Sequence, residues 1–384
     1  PPEQEVVELY KTSGIKRMRI YDPNQATLTA LQGSGIELVL DVPNADLESL
    51  QSDATHWVQT NVVQYFPATR IRYIAVGNEV DPEKETSGFV PLVLPAMQNI
   101  YKALSQFGLQ DQIKVSTATY SALLMNTSPP SNAIFKDMAF MEPIISFLAQ
   151  TRAPLLANIY PYFAYIYSQG VELPYALFTA PGVVVQDGPY GYQNLFDAMV
   201  DGVYSALEKA GGGDVEVVVS ESGWPSDGGV AATRENAETY YRNLIDHVKR
   251  GSPKRPGKAI ETYLFAMFDE NNKPGEKSEQ HFGLFYPNKQ PKYQFILNNV
   301  GEAVLRPPPP LDITAPSPAL QTPNDIGPSG ATLAANETIQ LSATPAAAPP
   351  PPPPDTTAPP PSPTPKTPNN VGPSRAAPAA NETI

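Results

Sequence analysis

The chain has 384 residues, 45 of them proline and none cysteine, with a formal net charge of −13. The lack of cysteine excludes disulfides and thiolate metal sites, and an acidic balance without a basic run excludes the usual nucleic-acid footprint. No segment approaches the roughly 18 consecutive apolar residues that a membrane helix needs, and 19 tyrosines on an acidic chain suit a neutral polar ligand better than a polyanion.

In chain order, residues 3–13 read as an amphipathic helix. Strand-like β-branched runs follow at 16–21, 36–42, 71–76, 114–119, 155–160, 215–220 and 260–268. Helix-like stretches lie between them, among them 47–66, 89–107, 138–148, 196–209 and 233–249. The runs at 36–42 and 215–220 are almost continuously apolar, the pattern of parallel strands buried on both faces. Such alternation predicts a (β/α)₈ TIM barrel or an open doubly wound sheet. The barrel is favoured because no Gly-rich phosphate turn follows an early strand. In addition, polar groups recur at strand ends (Tyr21-Asp22, Asp41, Asn78-Glu79, Thr119-Tyr120, Asn158, Glu221, Asp269-Glu270), and a barrel converges those ends on one face. About seven strands are visible and a helix comes first, so the barrel is expected to lack its first strand.

Beyond Arg306 the composition changes. About half of the prolines fall in roughly the last fifth of the chain, and Phe295 is the last aromatic. We expect a folded domain over 1–305 and a disordered tail over 306–384, which lacks the large apolar groups needed to offset chain entropy. The tail carries an imperfect repeat, from Thr322-Pro323-Asn324 to Asn336-Glu337-Thr338-Ile339 and again from Thr367-Pro368-Asn369 to Asn381-Glu382-Thr383-Ile384. Its proline runs at 307–310 and 349–354 favour extended polyproline II. No apolar C-terminal stretch reads as a lipid-anchor signal, and Pro1-Pro2-Glu3-Gln4 is not a signal peptide. Sequons at Asn126, Asn336 and Asn381 permit N-glycosylation of a secreted chain.

Two strand ends carry candidate chemistry. Val76-Gly77-Asn78-Glu79 ends an apolar run in a carboxyl that burial would keep protonated, as a general acid requires. The adjacent Asn78 can hydrogen-bond a sugar hydroxyl. A strand-end glutamate in an ion pair has the same local sequence. In Val219-Ser220-Glu221-Ser222-Gly223-Trp224-Pro225, an ionised Glu221 can attack an anomeric carbon, and Trp224 can stack on a sugar or wall the cleft. A plain turn with a packed tryptophan fits equally. Together, two glutamates at two barrel strand ends are what glycoside hydrolysis requires. Glu270, Lys273 and Glu279, after the last strand, are expected to form a charged network that orients and tunes the nucleophile; a solvated loop ion pair is the alternative. Aromatics gather at Tyr160-Pro161-Tyr162-Phe163 and near Tyr21, Tyr120 and Tyr192. His56, His247 and His281 lack metal-ligand spacing, and no Gly-x-Ser-x-Gly elbow supports a serine hydrolase.

These motifs, with Met18-Arg19-Ile20-Tyr21-Asp22-Pro23, Ala157-Asn158-Ile159-Tyr160-Pro161-Tyr162, Phe265-Ala266-Met267-Phe268-Asp269-Glu270 and His281-Phe282-Gly283-Leu284-Phe285, resemble plant β-1,3-glucanases of glycoside hydrolase family 17, colinearly over 1–300. The resemblance implies a (β/α)₈ fold, retaining hydrolysis of internal β-1,3-glucosidic bonds, and no cofactor or metal. It matches Glu79 to the acid/base and Glu221 to the nucleophile. Glu270, Lys273 and Glu279 match auxiliary residues, and Tyr21, Asn78, Asn158, Tyr160 and Phe282 match residues of the cleft, where Trp224 joins them. It further implies a β-1,3-glucan partner, a monomer, and a secreted location in the cell wall or the vacuole. The opening strand Ile-Gly-Val-x-Tyr-Gly of the family is absent, in line with the missing-strand expectation. The tail lacks the cysteines of the binding module that some members carry. Hydrolysis of mixed β-1,3;1,4-glucan and a non-catalytic wall glycoprotein are the competing readings.

Overall fold

The computed structural model describes residues 1–294 and the backbone of Gln340–Ser342. A helix, Glu3–Thr12, precedes the first strand as expected. Seven strands follow: β1 (Arg17–Ile20), β2 (Glu37–Val42), β3 (Arg70–Asn78), β4 (Lys114–Tyr120), β5 (Leu155–Asn158), β6 (Val217–Ser222) and β7 (Thr262–Leu264). All pair in parallel, in the order β1-β2-β3-β4-β5-β6-β7. The fold is a TIM barrel. The place between β7 and β1 is taken by β8, Gln340–Ser342, which closes the ring. The tail therefore contributes three residues to the barrel where no element was expected. None of the three is a proline, so each has the backbone N–H that a ladder hydrogen bond needs. The rest of the expected tail lies outside the described residues, as does residue 305, the expected domain limit.

The apolar runs become doubly buried strands. Every residue of β6 is buried, and in β2 only Glu37 retains appreciable exposure. Inside the barrel, Val39, Tyr73, Ala75, Ala118, Leu156, Val218 and Tyr263 pack into one cluster, the filled interior typical of this architecture. A larger cluster joins the outer strand faces to the helices, including Val90–Gln106, Met138–Thr151, Leu195–Lys209 and Arg234–His247. Each fully buried Leu, Ile or Val there contributes about 1.5–3 kcal/mol. The stretch 47–66 is not one helix. It breaks into Leu47–Leu50, Thr55–Val58 and a wide turn at Gln59–Val63. The Asp53 carboxylate accepts hydrogen bonds from the Thr55 amide (2.9 Å) and hydroxyl (2.7 Å), and that local bond competes with a continuous helix.

At the N-terminal end of the barrel, Arg17 and Arg72 bind Glu37 and Glu261 in a half-buried ion network. The opposite end holds the candidate glutamates. Two register breaks lie directly before them, between Ala75 and Asn78 in β3 and between Val219 and Glu221 in β6. A bulge of this kind re-aims the residues that follow it. Gly77, at φ +74, supplies the left-handed backbone for the first.

Candidate active site

Glu79 follows the last residue of β3 and adopts φ 51, uncommon for a residue with a Cβ. Its amide donates to the Ala118 carbonyl at 2.9 Å and its carbonyl accepts from the Thr86 hydroxyl at 3.2 Å, which pin the turn. Asn44 braces the preceding residue with two bonds of 2.9 Å to the backbone of Asn78. The side chain of Glu79 thereby reaches Asn158 on β5, whose Nδ2 donates to Oε1 at 2.8 Å. Burial pushes the Glu79 carboxyl up, and the nearby charge of Glu221 adds to it, against the hydrogen bond from Asn158 and the charge of Arg19. The result is a pKa of about 7.

Glu221 lies within β6 and is 6% exposed. Its Oε1 accepts from Arg19 (2.8 Å) and from the Tyr21 hydroxyl (2.7 Å), and its Oε2 from the Tyr160 hydroxyl (2.7 Å). Burial and then Glu221 itself push the Tyr160 phenol well up, so it remains a donor. Gly223, two residues on, is packed so tightly against the Phe265 carbonyl that no Cβ fits. The turn that leads away from the nucleophile candidate thus depends on glycine.

Arg19 organises the floor of the site, and the sequence reading gave it no role. It is fully buried and binds Asp41 through Nε and Nη2, the shortest contact being 2.6 Å. The same guanidinium donates to Glu221, to the Asn78 Oδ1 (3.0 Å), to the Asn158 Oδ1 (3.2 Å) and to the Ser220 carbonyl (3.2 Å). Burial works against its charge, but Asp41, Tyr21 and Glu221 outweigh it and push its pKa well up. The available signal was an arginine inside the apolar run Met18-Arg19-Ile20 with Asp41 near the end of the neighbouring one. Arg19 pairs with Val39 in the ladder, so Asp41 projects from the same face two residues further on.

Asn158 is 1% exposed, and both ends of its amide are used: Nδ2 donates to Glu79 and Asn78, and Oδ1 accepts from Arg19 and Ser220. It links the surroundings of the two glutamates. Lys273 bridges Glu270 (3.2 Å) and Glu279 (2.9 Å) and lies 5.1 Å from the Phe265 ring centroid. Burial pushes Glu270 up against the opposing charge of Lys273. Arg19, Tyr21 and Tyr160 hydrogen-bond Glu221 directly, while the Lys273 trio stands beside them, with Glu270 in electrostatic reach of Glu221 and Glu279 of Glu79.

Two of the expected cleft residues are placed otherwise. Trp224 is 0% exposed: its ring packs against Tyr162, Tyr165 and Tyr240, and its indole N–H donates to the Ala231 carbonyl at 3.0 Å. Enclosed by these rings, it offers no face to a sugar. Phe282, 2% exposed, lies edge-on behind Tyr160 and Phe265 and supports them from within.

Comparison with known proteins gives the family and the fold. The family model for glycosyl hydrolases family 17 matches residues 1–296. A glucan endo-1,3-beta-glucosidase of Vitis vinifera is 61% identical over 300 residues, covering 77% of this chain and 87% of that protein. An acidic isoform from Nicotiana tabacum is 57% identical over 305 residues, covering 78% and 88%. Among solved structures, one of two plant beta-glucan endohydrolases with distinct substrate specificities superposes with TM-score 0.73 at 50% identity, covering 77% of this chain and 95% of its own. A beta-1,3-glucanase and allergen of Cryptomeria japonica pollen gives 0.75 at 46% identity, covering 77% and 94%. A barrel that ends two strands in carboxyls joined through one buried arginine and one asparagine, matched along 296 residues, places the chain in glycosyl hydrolases family 17.

Proposed function

We propose that the protein hydrolyses internal β-1,3-glucosidic bonds of β-1,3-glucans with retention of configuration, with Glu79 as acid/base and Glu221 as nucleophile. The observation that carries this reading is the contrast between two carboxyls in one cleft. Glu79 is held near pH 7 by burial and by its neighbour's charge, whereas Glu221 sits among a guanidinium and two phenols. In the first step Glu79 gives its proton to the leaving oxygen while the Glu221 carboxylate attacks the anomeric carbon. Forming that ester removes the charge of Glu221, and with it the second largest cause of the raised Glu79 pKa. Glu79 becomes more acidic, so it rests as a carboxylate, the form that takes a proton from water in the second step. Tyr21 and Tyr160, each bonded to one oxygen of Glu221, fix the orientation of the nucleophile's carboxylate. Asn158 and Arg19 set the relation of the two carboxyls, and the Asn78 amide is placed beside them for a sugar hydroxyl. Glu270, Lys273 and Glu279 supply charge at the rim.

The names of the relatives support a β-1,3-glucan substrate. The two specificities among the related endohydrolases keep mixed β-1,3;1,4-glucan as the second reading. Among the described residues no helix is long and apolar enough to cross a membrane. A catalytic domain over 1–305 completed by the strand Gln340–Ser342, a monomer, secretion to the wall or the vacuole, and a glycan at exposed Asn126 complete the proposal. Glu79→Ala and Glu221→Ala should each lower turnover of laminarin by at least about a hundredfold. Near-normal turnover in either variant would overturn the assignment. Comparing laminarin with mixed-linkage glucan decides the substrate, and the anomer first released decides retention.

A further inference from the structure

Tyr160 opens a short helix, Pro161–Tyr167, whose last residue is the most exposed large apolar side chain among the described residues, at 73%. Tyr160, Phe163 and Tyr167 stand at positions i, i+3 and i+7, which share one face of a helix. Their rings form a continuous row. Tyr160 and Phe163 have centroids 5.2 Å apart, and Phe163 and Tyr167 6.3 Å apart with planes only 12° from parallel. The inner end of the row is bonded to Glu221 at 2.7 Å. Phe163 is half-buried and rests on Phe282 at 6.0 Å, so the middle ring is held firm from below. A packed structural row would bury its last member. This row instead leads from the nucleophile into solvent, and its last ring, stacked on Phe163 and 73% exposed, has a surface left for a sugar to meet.

We propose that Tyr167, backed by Phe163, is an outer platform for the glucan chain, stacking on a glucosyl unit separated by at least one other from the two that flank the cleaved bond. The inference rests on the glucan-hydrolase reading of the site and goes beyond it by assigning a residue that sets preference for long over short chains. The occupant is a neutral sugar: the row offers ring faces and a phenol, and none of its three residues carries a charge. Tyr167 lies two ring steps from Tyr160, so a short substrate bound across the catalytic pair does not reach it.

The test uses the full chain and its Tyr167→Ala and Tyr167→Phe variants on polymeric laminarin and on the β-1,3-linked glucose trisaccharide. Tyr167→Ala should lower kcat/KM on the polymer about fivefold to tenfold, through KM, and leave the trisaccharide value within about twofold. Tyr167→Phe, which keeps the ring, should keep the polymer value. An equal loss on both substrates, a loss confined to kcat, or no loss on the polymer overturns the platform. A wild-type chain that turns over neither glucan overturns the hydrolase reading and the platform with it, whereas normal wild-type turnover with an indifferent Tyr167→Ala overturns the platform alone.

Discussion

Replacing Glu79 with glutamine removes a carboxyl that the fold holds protonated at a cost. The group rises from 4.5 to about 7, chiefly because it is buried. Below pH 4.5 it is protonated in both the folded and the unfolded chain and contributes nothing to the pH dependence. Between 4.5 and about 7 the unfolded chain releases the proton first, so the folded state binds more protons and stability falls as pH rises. Each pH unit in that window is about 1.4 kcal/mol, so the ionised group destabilises the fold by about 3 kcal/mol above pH 7. That figure is a ceiling, since the side chain keeps part of its surface in water. Glutamine retains an Oε1 for the Asn158 amide and carries no charge. Glu79→Gln should therefore match wild type in urea unfolding at pH 4 and exceed it by up to about 3 kcal/mol at pH 8, while losing turnover. In the wild type, kcat/KM should decline above a pKa of about 7, where Glu79 no longer holds a proton to donate. A stability gain equal at both pH values, or none at pH 8, would refute the reasoning that burial of this carboxyl sets its protonation.

Two further outcomes follow from the surrounding contacts. Arg19→Lys keeps one charge but loses the fork that binds Asp41, Glu221, Asn78 and Asn158 together. It should cut kcat on laminarin about a hundredfold with a smaller change in KM and destabilise the fold by about 1–3 kcal/mol; kcat near that of wild type would show that Arg19 is only packing. Trp224→Phe should cost about 1–3 kcal/mol in urea unfolding, from lost volume and the lost bond to Ala231, with KM unchanged. A rise in KM without loss of stability would return Trp224 to the cleft.

The sequence by itself determined the alternation of strands and helices, because buried parallel strands must be apolar on both faces and therefore stand out as runs. It also determined that Glu79 and Glu221 sit at strand ends, since each follows such a run, and that a helix comes before the first strand. It did not determine where side chains point once the ladder breaks. A one-residue shift turns a strand's whole side-chain set over. The bulges before Asn78 and Glu221 and the left-handed backbone at Gly77 and Glu79 appear only when the neighbouring strands are in place. Trp224 and Phe282, read as cleft residues, are buried instead by the aromatic side chains that tertiary packing gathers around them. Arg19 shows the limit most clearly. Its neighbours along the chain mark it as an oddity in an apolar run, but its partners lie 22, 59, 139 and 202 residues away, and only barrel closure brings a strand's buried arginine to the carboxylate of another.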